Sequence, residues 1–164
     1  CVFLDRDGVI NYDYGYVHKK ENFKFKKGVY KAIKLLNDNN FLVIVITNQS
    51  GIGRGFYTKK DVENLHIWVS RKLQLYNAKI DKFYFSPYFK KAKRKIFRKG
   101  LIYRKPNIGL FNTAMRDFNI KKEDSFFIGD KFSDRLAAKK FGIKYLNVNK
   151  KTNFLNLKKR KIIF

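Results

Sequence analysis

Two spacings of apolar positions alternate along the chain. Val2–Leu4, Phe41–Ile46, Lys79–Phe85, Ser125–Ile128 and Lys144–Val148 are short apolar-rich runs of strand length, and the continuous ones fit strands covered on both faces. Helical spacing fills the intervals. Residues 28–40 put Val29, Ala32, Ile33 and Leu36 on one face and end in a turn-prone Asn-Asp-Asn-Asn run. Thr58 and Asp61 make a capping box with Asp in place of the usual Glu. The helix it opens reaches about Tyr76, burying Val62, Leu65, Val69 and Leu73 beside Trp68, with His66 as a helix residue rather than a ligand. Ile108–Phe118 starts just after Pro106, and Ser133–Phe141 stops at Gly142 behind Lys139 and Lys140. Residues 12–27 and 86–106 lack either period and read as a small flap and a long basic loop. The alternation predicts an α/β fold, a three-layer open parallel sheet with a minimal cap. One domain over residues 1–148 is expected, with 149–164 as its basic C-terminal tail.

In such sheets ligands bind beyond the carboxyl ends of the strands. Asp5 and Asp7 fall there after the first strand, Thr47 and Asn48 after the second, and Asp130 and Lys131 after the fourth. Arg104 and Lys105 close the basic loop that follows the third. Asp and Gly after a strand are explained by a turn alone. Four sequence-distant groups meeting on one rim are not. Carboxylates with Thr, Asn, Lys and Arg around them, and no His or Cys set, suit Mg²⁺ and a phosphate, since Mg²⁺ takes hard oxygen ligands. One carboxylate can attack phosphorus while a second shuttles the proton. The Gly51–Gly55 stretch lacks the Gly-x-Gly-x-x-Gly spacing of a dinucleotide site, and its glycines read as letting a loop pass close to substrate.

Charge changes this picture little. The chain carries 38 basic and 13 acidic residues, a net +25 that concentrates anions. Lys, Asn, Ile, Phe and Tyr are all heavily used, as drift in an AT-rich genome produces, and drift is the simpler source of most of the charge. Cys1 is the lone cysteine, which excludes an internal disulfide or thiolate cluster and fits a reducing cytoplasm. No run has the length of a membrane span, so no membrane partner is expected. The chain opens at Cys1 almost inside its first strand, and further N-terminal residues are expected before it.

At these residues the sequence resembles the haloacid dehalogenase superfamily of phosphohydrolases. Asp5-x-Asp7-Gly8, Thr47, Lys105 and Gly129-Asp130-x-x-x-Asp134 are similar to its four motifs. DRDGVIN, Gly15-Tyr16-Val17-His18, TNQSGIGRG, Arg104-Lys105-Pro106 and GDKFSDRLAA resemble the D-glycero-D-manno-heptose 1,7-bisphosphate phosphatase family, whose relatives include the histidinol-phosphate phosphatases. The resemblance spans Val2 to about Val148 and implies Asp5 as nucleophile and Asp7 as general acid/base. It implies Mg²⁺ on the carboxylates of Asp5 and Asp130 and the backbone carbonyl of Asp7. Thr47 and Lys105 would hold the transferring phosphate, with Asn48, Arg104 and Lys131 on the substrate side. Asp134 would position Lys131 or a metal-bound water, or serve only as a helix N-terminal carboxylate. The implied substrate is a phosphorylated sugar, the 7-phosphate of a heptose bisphosphate in lipopolysaccharide or capsule biosynthesis, and a cytoplasmic monomer is the expectation.

One departure stands out. Many members of the family hold a structural zinc with Cys-x-His and Cys-x-Cys, where this chain has Ser86, Tyr88, Leu101 and Tyr103, so no zinc is expected. Tyr88, Phe89, Ile96, Phe97, Leu101 and Tyr103 offer an apolar core for the loop instead. From Lys90 to Lys105 there are nine basic residues and no acidic one, interleaved with aromatics. That gives content to an alternative within the superfamily, polynucleotide 3′-phosphatase, beside histidinol-phosphate phosphatase. A non-catalytic phosphate or nucleic-acid binding module is the alternative from another class.

Overall fold

The computed structural model describes residues 1–148; the basic tail expected over 149–164 lies outside the described residues. Among the described residues, β1 (Val2–Leu4), β2 (Val43–Asn48), β3 (Lys82–Ser86), β4 (Phe126–Gly129) and β5 (Lys144–Asn147) form one sheet in the order β3-β2-β1-β4-β5. All four strand pairs are parallel; Leu4 lies between Val45 and Ile128. The helices are α1 (Val29–Asp38), the short α2 (Gly51–Arg54), α3 (Lys59–Gln74), α4 (Gly109–Asp117) and α5 (Phe132–Phe141). None is long and apolar enough to cross a membrane.

Strand alternation divides the interior into two layers of packing. Val2, Leu4, Val43 and Val45 face α1 and α3, meeting Ile33, Leu36, Leu65 and Val69. Phe3, Ile44 and Ile46 face the other way onto α4 and α5, against Phe111, Ala137 and Phe141. Helices therefore cover both faces, and the three-layer architecture follows. The chain runs outward from β1 through β2 to β3, then returns to the far side of β1 for β4 and β5. Beside β1 the order reverses, and there the carboxyl ends open a crevice.

The local signals hold with shifted boundaries. Thr58 Oγ1 accepts from the Asp61 N–H at 3.2 Å and Asp61 Oδ2 from the Thr58 N–H at 2.7 Å, so the capping box is complete. Gly142 closes α5 at φ +83°. β2 begins two residues later than the apolar run suggested, because the Phe41 N–H caps α1 by donating to Leu36 O and Leu42 O accepts from Val2. The Gly51–Gly55 stretch is a correction: it is mostly helix. Packing is enough to require two of its glycines. A Cβ on Gly51 would overlap the Tyr57 ring, and one on Gly53 would come 2.7 Å from Pro87 O.

The basic loop is folded as well. It contains 3-10 turns at Lys95–Arg98 and Leu101–Tyr103. Ala92 and Phe97 are buried with Ile52, Tyr57 and Val62, and Tyr88 and Phe89 pack onto them. The Arg54 guanidinium lies 3.7 Å over the Phe89 ring. Of the six residues expected to form this core, Ile96 points outward and Tyr103 joins the layer under α4, stacking on Tyr88 at 6.0 Å. Amides that hold the loop together, Phe89 to Phe97 O and Lys93 to Gly53 O, are expected to resist hydrogen exchange. Phe97→Ala should cost about 3 kcal/mol and release them. Uniformly fast exchange across 86–103 in the unmodified protein would contradict this packing.

Candidate active site

Asp5 follows directly on β1, where its N–H continues the ladder by donating to Ile128 O. It is buried, and both of its bonds fall on one oxygen. Oδ1 accepts from the Arg6 N–H at 2.8 Å and pairs with Lys105 Nζ at 2.9 Å. Oδ2 is left uncommitted among the described residues. Burial pushes the Asp5 carboxyl up, against the pull of Lys105. Lys105 also sits 2.8 Å from Asp134 Oδ1, so one buried ammonium bridges two carboxylates. Burial alone would push Lys105 down, but Asp5 and Asp134 outweigh it and hold it charged. A buried cation between two anions keeps its charge because desolvation is offset on both sides.

Asp130 comes from the end of β4. Its carboxylate approaches the backbone of Gly8 so closely that a Cβ there would overlap it; Gly8 has φ +89°, which also favours glycine. One oxygen of Asp130 on each of Asp5 and Asp134 lies in a cluster whose atoms are all within 4.8 Å of one another. Asp130 Oδ1 is buried with no hydrogen-bond partner, and burial with the charge of Asp5 raises its carboxyl to about 6. An unpartnered buried carboxylate oxygen in a cluster with the carboxylate of Asp5 is what a hard divalent cation would satisfy, so the donors fit Mg²⁺. Asp134 has no oxygen to spare: Oδ1 holds Lys105 and Oδ2 accepts from the Lys131 N–H at 3.1 Å. Asp134 thus holds the Lys131 backbone at the start of α5, as a helix N-terminal carboxylate does, and fixes Lys105 as well.

Asp7 turns away from this cluster. Its Oδ1 accepts from Arg6 Nε, Arg6 Nη2 and Asn11 Nδ2, and its Oδ2 from Arg6 Nη2 and Gln49 Nε2, at 2.9–3.2 Å. Gln49 Nε2 also reaches Thr47 Oγ1 at 3.0 Å, and Tyr57 donates to Gln49 Oε1 at 2.8 Å. The side chain of Asp7 is therefore no part of the carboxylate cluster, which leaves its backbone carbonyl as the group the metal expectation concerns. Arg6 is fully buried and also donates to Val17 O and to His66 Nε2. Sequence reasoning missed Arg6, Gln49, Asn11 and Tyr57; a cation set between two carboxylates, in a short segment with apolar runs on either side, was the available signal for Arg6.

His66 is buried against the Phe83 ring at 4.3 Å. Burial, then the Arg6 charge, hold it well below its ordinary 6.5. The unfolded chain thus binds a proton that the folded chain refuses, so stability is full above about pH 6.5 and falls as pH drops below it. Acid unfolding followed by circular dichroism should lose that slope below pH 6.5 in His66→Gln.

The three expected substrate contacts have these partners in the structure. Asn48 spends its amide on the Lys105 backbone, donating to its O at 3.1 Å and accepting from its N–H at 3.0 Å; it positions the lysine rather than facing outward. Arg104 donates to Tyr88 O at 3.2 Å and is half-buried, with its pKa drawn down by burial and by nearby Arg54. Lys131 Nζ pairs with Asp13 Oδ2 at 2.9 Å at the mouth of the site.

Residues 4–155 match the family model described as polynucleotide kinase 3 phosphatase. The D-glycero-beta-D-manno-heptose-1,7-bisphosphate 7-phosphatase of Haemophilus ducreyi is 40% identical over 145 residues, covering 88% of this chain and 79% of its own. Among solved structures, the D,D-heptose 1,7-bisphosphate phosphatase from B. bronchiseptica, complexed with magnesium and phosphate, is 26% identical with TM-score 0.78, covering 88% of this chain and 77% of its own. A putative HAD-like phosphatase from Mesorhizobium loti is 29% identical with TM-score 0.81, covering 87% and 68%. With a model match over most of its length and a relative this similar across nearly all of it, the chain belongs to the polynucleotide kinase 3 phosphatase family of haloacid dehalogenase-like phosphatases, alongside the heptose bisphosphate 7-phosphatases.

Proposed function

We propose that this protein removes the 7-phosphate from a D-glycero-D-manno-heptose 1,7-bisphosphate in the cytoplasm, acting as a Mg²⁺-dependent phosphoric monoester hydrolase without zinc. The observation that carries the chemistry is the buried carboxylate of Asp5, paired through Oδ1 with a buried lysine and clustered with Asp130, which has an unpartnered oxygen. Relatives that carry the heptose name, at 35–40% identity, support the substrate.

Asp5, Asp130 and the Asp7 carbonyl would hold Mg²⁺, which when bound neutralises phosphate charge and so admits a dianion beside carboxylates. One carboxylate oxygen of Asp5 attacks phosphorus, a new O–P bond forms, and the bond to the sugar oxygen breaks. Asp7, entering protonated and turned from Arg6 toward the substrate, gives that proton to the leaving oxygen. It then takes a proton from water as the water attacks phosphorus, and inorganic phosphate leaves with Asp5 restored. Lys105 and Thr47 stabilise the transferring group from fixed positions: Lys105 is pinned by Asp134 and Asn48, Thr47 by Gln49. Arg104 supplies a bidentate fork for a second phosphate.

The test is phosphate release with Mg²⁺ from heptose 1,7-bisphosphate, histidinol phosphate and a 3′-phosphorylated oligonucleotide. Highest kcat/KM on the heptose is expected. The matching family model and the basic loop favour the oligonucleotide as the second reading, and best turnover on it would replace the first.

A further inference from the structure

The turn over residues 12–18 carries a carboxylate that this chemistry does not use. Asp13 Oδ2 lies 2.9 Å from Lys131 Nζ, joining positions 118 residues apart in the chain. Its Oδ1 accepts from the Gly15 N–H at 2.9 Å, so the same side chain shapes the turn, in which Gly15 and Tyr16 both have positive φ. The turn is anchored to the catalytic machinery on its other side. Arg6, which grips Asp7, donates to Val17 O, and His18 stacks on Tyr57, the donor to Gln49. Lys131 directly follows Asp130, within the field of Asp5. Its side chain and that of Asp13 are 48% and 30% exposed, which puts the pair at the mouth rather than in the buried cluster.

Two cations thus border the site in different ways. Lys105 is locked between two buried carboxylates and cannot exchange partners without leaving them unpaired. Lys131 holds one half-exposed carboxylate, a pairing weak enough to be traded for another anion. We infer that Asp13 is a positioning residue that competes with phosphate for the Lys131 ammonium: it holds Lys131 before substrate arrives, yields it to the substrate phosphate, and reclaims it as inorganic phosphate departs. The inference rests on the proposed phosphatase function and on Lys131 contacting phosphate at its substrate side, as the family resemblance implies. Asp13 also sets a negative charge at the mouth, so it weakens the hold on every phosphate and hastens product loss.

Inorganic phosphate is the probe, measured both as product inhibition and by direct calorimetric titration of the full chain with Mg²⁺. Asp13→Asn keeps the acceptor for Gly15 and the shape of the turn but drops the charge. Phosphate should then bind about two- to fivefold more tightly, the range a partly exposed pair supports. Lys131→Met should weaken phosphate, and Asp13→Asn should have no effect in its background. Unchanged or weaker phosphate binding in Asp13→Asn overturns the inference, as does tightening that persists without Lys131. If Lys131→Met leaves phosphate binding unchanged, the contact itself is lost and the inference with it. Absent turnover by the unmodified protein would instead strike the proposed function, while the titration would still answer for Asp13.

Discussion

Asp5→Asn should reduce phosphate release by about 10⁴-fold or more, because it removes the oxygen proposed to form the covalent intermediate. The fold should survive it. Lys105 keeps Asp134 at 2.8 Å as its counter-ion, so the substitution leaves no buried cation unpaired. The Asn amide can still accept from the Arg6 N–H through its oxygen, as Asp5 Oδ1 does. Burial already disfavours charge on Asp5, and a neutral side chain of the same shape is easier to bury. The melting temperature should therefore stay level or rise. Turnover measured beside a thermal melt checks both halves: retained activity would remove Asp5 as nucleophile, and a fall of several degrees would mean that the loss reflects unfolding.

How much of this was legible in the sequence depended on whether a residue's role is fixed by its neighbours along the chain. β1 and β2 are continuous apolar runs, so their carboxyl ends could be located, and Asp5, Thr47 and Asp130 with them. Asn48 sits at such an end too, and seemed free to face substrate. Only folding brings the Lys105 backbone, 57 residues away, against its amide. The Asp13 partner of Lys131 was equally out of view, 118 residues off. The Gly51–Gly55 stretch looked like loop because glycine disfavours helix. Its glycines are there because Tyr57 and Pro87 press on the backbone, which no local pattern records. In each case the chemistry was in view and the partner was not.

Arg6 is the sharpest instance, hidden as the intervening residue between two aspartates. Its guanidinium has no exposed surface and reaches three groups: Asp7, the Val17 carbonyl and His66. Its own carbonyl accepts from the N–H groups of Val9, Ile10 and Asn11, folding the turn that carries Gly8 past Asp130. Arg6→Met would keep the volume and leave Asp7 without its buried cation, a loss of about 3–5 kcal/mol. In a chain of this size that lowers the melting temperature by on the order of 10 °C. Arg6→Lys should recover little, since one ammonium cannot span acceptors that a planar fork bridges. Turnover should fall with either change, because only Asn11 and Gln49 would still orient Asp7. The cause can be separated from simple loss of packing by adding Asp7→Asn to Arg6→Met. If the penalty is an unpaired carboxylate, the double variant should melt higher than Arg6→Met alone although it carries one more substitution. If the two losses merely add, Arg6 serves as filler and its link from Asp7 to the 12–18 turn carries no energy.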